Sequence, residues 1–412
     1  MKYKRLLIFS ILFSLAVSCK IRDNSHINND QSPGYTIAAY YFPNYHVDKR
    51  NEKILGKDWT EWELVKKAKP RFNDHHQPKV PEWGYTDESK PEVMAQKIKA
   101  AADNGIDVFI FDWYYYNDGP FLEDGLEKGF QKAPNKQRMK FALMWANHNW
   151  VDIFPKKAGE KPKLLFPGKI SPATWDTMTD YIITHYFKDP SYWKIDGKPY
   201  FSIYDLTRFL EIFGSDDKTI EGIKKFRDKV KEAGFPGLNL NAVVWGNTIL
   251  PSTQNVVNAE ELVKKLGFNS TTSYVWIHHV PLPDFPQTPY KYVEDKYFEF
   301  AKSKEENDEY LPYIPNVSMG WDPSPRCGQE DGYKNTGYPC MATISGSTPS
   351  AFKNALGRMK EFVDKHPGTH NILNINSWNE WTEGSYLEPD TTHGMAYLNA
   401  IKQVFSRDNP EE

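Results

Sequence analysis

Two glutamates, Glu380 and Glu383, stand three residues apart in the segment Asn374-Ile-Asn-Ser-Trp-Asn-Glu-Trp-Thr-Glu-Gly384. A β-rich run leads into a turn there, and on a helical turn a spacing of three puts both side chains on one side. Glycosidic cleavage needs such a pair, one group to protonate the departing oxygen and another to act as nucleophile or base. Two neighbouring like charges also push their titrations apart, which keeps one carboxyl protonated at neutral pH. The competing reading is a first-turn helix cap, with Glu satisfying the N-terminal dipole. The flanking Trp378, Asn379, Trp381 and Gly384 favour chemistry, provided the segment ends a barrel strand.

The rest of the chain supplies the strands. Short apolar runs fall at Tyr35 to Phe42, Ile106 to Tyr115, Phe141 to Ala146, Pro199 to Tyr204, Leu238 to Trp245, Ser270 to Trp276, Tyr313 to Met319 and Ile372 to Trp378. Several are continuously apolar, as parallel strands buried on both faces should be. Amphipathic helices are expected between them at 91–105, 172–187, 217–234, 258–267, 290–306, 349–366 and 394–405. Eight strands alternating with helices imply an α/β fold, a (β/α)8 TIM barrel, with an open doubly wound sheet as the alternative. The long connections, 43–90 and 320–347, follow strands and would lie on the C-terminal face, where barrels build their sites.

Polar and aromatic residues crowd the expected strand ends. Tyr41, Asn44 and His46 belong to the first, with Trp59, Trp62 and His76 in the loop after it. Asp112 and Trp113 lie at the second, Asn147 and His148 at the third, and Asp205 at the fourth. Trp245 ends the fifth and Tyr274 and Trp276 the sixth; Asp322 and Arg326 follow the seventh. Asp112 and Asp205 read equally as ligands of sugar hydroxyls or as helix N-caps. Of the 13 Trp, all but Trp175 and Trp193 lie at these ends or in the loops beyond them. That skew suits a carbohydrate platform, because a pyranose face stacks on indole; packing remains the other reading for any single Trp.

Composition sets the remaining bounds. The 412 residues are 40% hydrophobic and 25% charged, those of an ordinary globular protein. The formal charge is −3 and no basic run stands out, so nucleic acid is not an expected partner. No Gly-rich phosphate loop or zinc-type Cys/His spacing occurs, so neither a cofactor nor a metal is expected. Residues 1–18 are basic and then apolar, as a signal peptide would be, and end before Cys19 in a lipobox-like Leu15-Ala-Val-Ser-Cys19. The expectation is an exported outer-membrane lipoprotein anchored through Cys19, a polar tether over 19–34, and one catalytic domain over 35–407, working as a monomer. Cys327 and Cys340 close a short loop and are either a disulfide or two free thiols.

Five motifs, in order, carry a resemblance: Tyr40-Tyr-Phe-Pro-Asn-Tyr-His46, Trp59-Thr-Glu-Trp62, His76-Gln-Pro78, Phe111-Asp-Trp-Tyr-Tyr115 and Trp378-Asn-Glu-Trp-Thr-Glu-Gly384. Together they resemble the WbsX-type proteins, which are related to glycoside hydrolase family 99, the endo-α-mannosidases. The resemblance implies a (β/α)8 barrel acting on an oligosaccharide or polysaccharide by retaining hydrolysis without a metal. It also implies roles: Glu380 as the base on the sugar's own 2-hydroxyl, and Glu383 as the acid on the leaving oxygen. Family 99 usually has His where this chain has Thr382, which leaves the mannan preference open. The WbsX group is also often labelled glycosyltransferase, which is the alternative function.

Overall fold

The computed structural model describes residues 34–405, apart from 252, 306, 308 and 309. The expected signal peptide, nearly all of the tether, and Cys19 lie outside the described residues. Eight parallel strands form the frame: β1 (Thr36–Tyr41), β2 (Val108–Tyr116), β3 (Lys140–Trp145), β4 (Lys198–Ile203), β5 (Asn239–Val243), β6 (Ser270–Thr272), β7 and β8 (Ile372–Asn376). Strand β7 is split into Tyr313–Ile314 and Asn316–Ser318 around Pro315, which cannot donate to a ladder. Its first piece pairs with β6 (Thr271 opposite Tyr313), its second with β8 (Asn316 opposite Asn374). Strand β8 pairs in turn with β1 (Thr36 opposite Ile372), so each strand lies between its sequence neighbours and the sheet closes. The open-sheet alternative falls on that closure.

Among the described residues ten α-helices surround or cap the barrel: α1 (Lys49–Leu55), α2 (Trp62–Lys67), α3 (Pro91–Asp103), α4 (Pro172–Ile182), α5 (Leu206–Phe213), α6 (Asp216–Glu232), α7 (Ala259–Lys265), α8 (Tyr290–Glu305), α9 (Pro349–Lys365) and α10 (Ala396–Phe405). Seven match the amphipathic runs read from the sequence. Helices α1 and α2 lie inside the long loop after β1, and α5 follows β4 directly; none of these was foreseen. The helix expected to reach residue 187 leaves α geometry at Ile183 and finishes in a π turn, Ile183–Phe187. Between β2 and β3 there is no α-helix, only a π turn (Gly125–Gly129) and two 3-10 turns (Phe130–Lys132 and Lys136–Arg138). That segment presses on the backbone before α3, since a Cβ on Gly129 would come 2.2 Å from the Glu88 carbonyl oxygen.

All nine residues of β2 are buried, as a continuously apolar run requires. The barrel interior also holds polar chains that no apolar pattern reveals. Ser202 donates to Asn241 (2.8 Å), which donates to Ser270 (2.9 Å). Asn374 donates to Thr272 (2.9 Å) and to the Tyr40 hydroxyl (3.3 Å). Buried polar groups are tolerated when they find partners, and these chains link β4 to β5 and β6, and β1 and β8 to β6.

Helix α9 begins at Pro349 with Thr348 as its cap, the Thr hydroxyl accepting from the Ala351 N–H (3.2 Å). Thr348→Ala removes that acceptor and should cost about 1 kcal/mol of stability. A urea unfolding midpoint unchanged within error would contradict the cap.

Candidate active site

Strand β8 ends at Asn376, and the chain turns sharply at its mouth. Residues Asn379–Glu380 pair antiparallel with Ser385–Tyr386, and Trp381–Glu383 form a single 3-10 turn between them. The turn closes at Gly384, whose φ is +63°. A Cβ there would come 2.7 Å from the Cβ of Asp322, so glycine is required on both counts. The spacing of three brings both carboxyls to one pocket, around a 3-10 turn rather than an α-helical one.

This turn is clamped from below. The indole N–H groups of Trp378 and Trp381 both donate to Glu388, at 2.8 and 2.7 Å. Lys97, on α3, is wholly buried and meets Glu388 at 2.7 Å and Glu88 at 3.7 Å. Glu88 accepts from the Tyr41 hydroxyl (2.8 Å) and the Tyr45 N–H (2.7 Å), and contacts His46 Nδ1 at 3.2 Å. Asn379 accepts from the Phe42 N–H and donates to the Phe42 carbonyl, each at 2.8 Å. The two tryptophans that frame the Glu pair are thus struts of the loop.

Above the clamp, one cation faces several carboxylates. Arg326, on the loop after β7, lies 2.7 Å from Glu383 and 3.5 Å from Glu380. Its Nε donates to Glu61 at 2.8 Å. Tyr338 donates to Glu383 at 2.6 Å and also contacts Arg326. Cys327 and Cys340 are joined as a disulfide, with Cα atoms 5.6 Å apart, and this closes the loop that carries Tyr338 and begins beside Arg326. Tyr274 donates to Asp112 at 2.7 Å and lies 3.3 Å from Glu380. Glu380 and Glu383 are 4% and 5% exposed, just enough to face a pocket.

Burial raises the proton affinity of each carboxyl in this pocket. It lifts Glu380 well above the usual range, and the neighbouring Glu383 lifts it further, with Arg326 opposing. Glu383 is also raised by burial, but Arg326 and the Tyr338 hydroxyl hold it down more firmly. Asp112 is raised well above its usual range by burial, against its bond from Tyr274. Of the pair, Glu380 is thus the one raised more strongly. The pocket histidines are pushed down by burial, His148 to about 4 and His278 to about 3, so both are neutral hydrogen-bonding groups at physiological pH.

Of the residues singled out in the sequence, Asp112, His148, Tyr274, Arg326, Glu380 and Glu383 line this pocket. The others lie outside it. Tyr41, His46, Trp378, Asn379 and Trp381 belong to the clamp. Asn44 donates to Glu61 at 2.5 Å, behind Arg326. Asp205 caps α5, accepting from the Arg208 N–H, and Asn147 holds the Asp205 backbone. Burial lifts Asp205 to about 6. Trp62, Trp113 and Trp276 are buried packing residues, and Trp245 packs on Tyr204 with ring centres 4.8 Å apart. Trp59 is buried against Phe154. His76 is exposed; its neighbour His75 is the buried one, 2.8 Å from Asp322.

The sequence reading missed Tyr338, Tyr114, Tyr204 and His278 in the pocket lining, and among the tryptophans only Trp150 and Trp321 line it. Glu61 was hidden in plain view, inside Trp59-Thr-Glu-Trp62. Tyr338 carried no signal beyond lying in a long loop after a barrel strand.

Comparison places the chain among known proteins. A family model described as "Glycosyltransferase WbsX" matches residues 37–401. Two curated relatives, both "Uncharacterized protein WxcX" from strains of Xanthomonas campestris pv. campestris, are 25% identical over 90% of this chain and 50% of their own length. The chain thus spans about half the length of the curated relatives it matches. A solved structure titled "Glycoside hydrolase-like protein" superposes with a TM-score of 0.57 at 14% identity, covering 91% of this chain and 94% of that one. A GH99 endo-alpha-mannosidase from Bacteroides thetaiotaomicron, in complex with bis-tris propane, gives 0.50 at 15% identity, covering 89% and 95%. These likenesses establish a TIM-barrel fold.

Two predictions rest on this geometry. Lys97→Met leaves Glu88 and Glu388 without their cation, and removing one partner of a buried ion pair costs about 3–5 kcal/mol. A shift in the urea midpoint measures it. Glu380 binds its proton more tightly folded than unfolded, so its contribution to stability is full below the unfolded pKa and is lost as pH rises through the folded one. Glu380→Gln should therefore raise the melting temperature, and the gain should widen between pH 5 and pH 8. A constant or negative difference would contradict it.

Proposed function

The chain belongs to the WbsX family, and from that premise we propose that it is a retaining glycoside hydrolase, endo-acting on an α-linked, mannan-like glycan. One observation carries the reading: two buried glutamates of different proton affinity share one arginine at the C-terminal mouth of the barrel. The glycoside-hydrolase-type fold supports it. On this reading Glu380 accepts the proton of the sugar's 2-hydroxyl as O2 attacks C1. Glu383 donates its proton to the departing glycosidic oxygen. A 1,2-anhydro sugar results; Glu383 then takes a proton from water, which opens the ring at C1, and Glu380 returns its proton to O2. Two inversions give net retention. Tyr274 and Asp112 meet the hydroxyls of the reacting sugar. The site of action, set by the expectation at Cys19, is the exported side of a membrane.

The surroundings raise the proton affinity of Glu380 more than that of Glu383, whereas these roles begin with the proton on Glu383. Moving it is work for substrate binding: a glycosidic oxygen against Glu383 favours its acid form, and a 2-hydroxyl against Glu380 favours its carboxylate. The family's description favours one second reading, transfer of a glycosyl group to an acceptor hydroxyl in surface polysaccharide assembly. The same two carboxylates serve it, with the acceptor in place of water.

Variants of the pair separate the roles. Glu383→Gln should lose about 10²–10⁴-fold on a natural glycan, and far less on a substrate with an activated leaving group that needs no acid. Glu380→Gln should be impaired on both. Product analysis on a panel of α-mannans and other α-glycans measures this. The opposite pattern would exchange the roles, and strict dependence on a sugar-nucleotide donor would replace hydrolysis with transfer.

A further inference from the structure

Glu61 is wholly buried and does not line the pocket, yet it holds Arg326 more closely than Glu380 does. Its Oε1 lies 2.8 Å from Arg326 Nε and 2.7 Å from Nη2. The same oxygen accepts from the Thr382 hydroxyl at 2.6 Å, and Oε2 accepts from Asn44 at 2.5 Å. Asn44 is oriented by Asn51, which donates to its Oδ1 at 2.8 Å. Every contact to Glu61 is a donor, the pattern of an acceptor-only carboxylate. Arg326 in turn faces Glu61, Glu380, Glu383 and Tyr338; Tyr45, Asp112, Tyr274 and neutral His148 lie around them. A single positive charge is therefore divided among three glutamates, only two of which can touch substrate.

We propose that Glu61 is a positioning residue that sets how much of the Arg326 charge reaches the reacting pair. It works in two ways. It draws the guanidinium toward the floor of the site, leaving Glu380 at the 3.5 Å end of the fork. Through Thr382 it also ties the turn that spaces the two glutamates to the same anchor. Thr382, between the two glutamates, thereby acquires a role that its position alone does not suggest. With Glu61 in place both reacting groups keep a high proton affinity, which a pair that must exchange protons with hydroxyls near neutral pH requires. Without its charge, Arg326 belongs to the pair alone and holds both as carboxylates.

The proposal rests on Glu380 and Glu383 as the reacting pair, and its test needs no substrate. In full-length protein with ¹³C-labelled glutamate, the side-chain carboxyls of Glu380 and Glu383 are followed by NMR across pH, assigned with Glu380→Gln and Glu383→Gln. Glu61→Gln should move both titrations to lower pH by about one unit or more. Glu61→Asp, which keeps the charge but draws it back by one methylene, should move them the same way by less, and it carries the test alone if the Gln variant does not fold. A folded variant of either kind that leaves both titrations in place, or moves them up, would overturn the proposal. Where hydrolysis is measurable, both limbs of the kcat/KM profile should follow the titrations to lower pH. Absence of hydrolysis on every glycan would sink the proposed function and leave the titrations as they are.

Discussion

A buried guanidinium shared among carboxylates is the constraint on which this site depends. Desolvating several acids in one pocket is costly, and each must find a cation, a hydrogen-bond donor or a proton. Arg326 supplies the cation, Tyr338 and Tyr274 supply hydroxyls, and burial raises the affinity of Glu380 for a proton. The asymmetry between Glu380 and Glu383, which any acid and base pair requires, follows from which of them Arg326 reaches best. No difference in residue type is needed, because the environment differentiates two identical side chains.

Below it lies a second charge cluster of opposite design. Lys97 between Glu88 and Glu388 is sealed from solvent and takes no part in the pocket. It fixes Trp378 and Trp381 through their N–H groups, and so fixes where the glutamates point. A stiff support of this kind keeps the geometry of the two glutamates constant in either ionisation state.

The barrel and the Glu pair were legible because their signals are local. Continuous apolar runs report burial of strands on two faces, and the segment from Trp378 to Gly384 puts both glutamates within seven residues. The partners were not legible, because partnership is three-dimensional. Glu61 and Arg326 lie 265 residues apart in sequence. The skew of tryptophans toward strand ends was real, but most of those rings pack inward: indole serves a crowded loop region as well as it serves a sugar, and position along a strand does not say which. His76 and His75 differ only in which way adjacent side chains point on an irregular loop, which composition cannot decide. Likewise the split of β7 follows from Pro315 but hides within one apolar run.

Strand β7 and the loop after it have a consequence for how the molecule is made. Glu61 and Asp112 leave the ribosome long before Arg326 does, and the sheet cannot close until β8 reaches β1. Contacts of such sequence separation form late, because chain entropy must be surrendered before they repay it. Early acids must therefore stay hydrated until the last quarter of the chain arrives, and partly assembled barrels will be open, wet and vulnerable at this mouth. Closing the seam and drying the charges are one event, so folding to completion and acquiring a competent site should be inseparable in time.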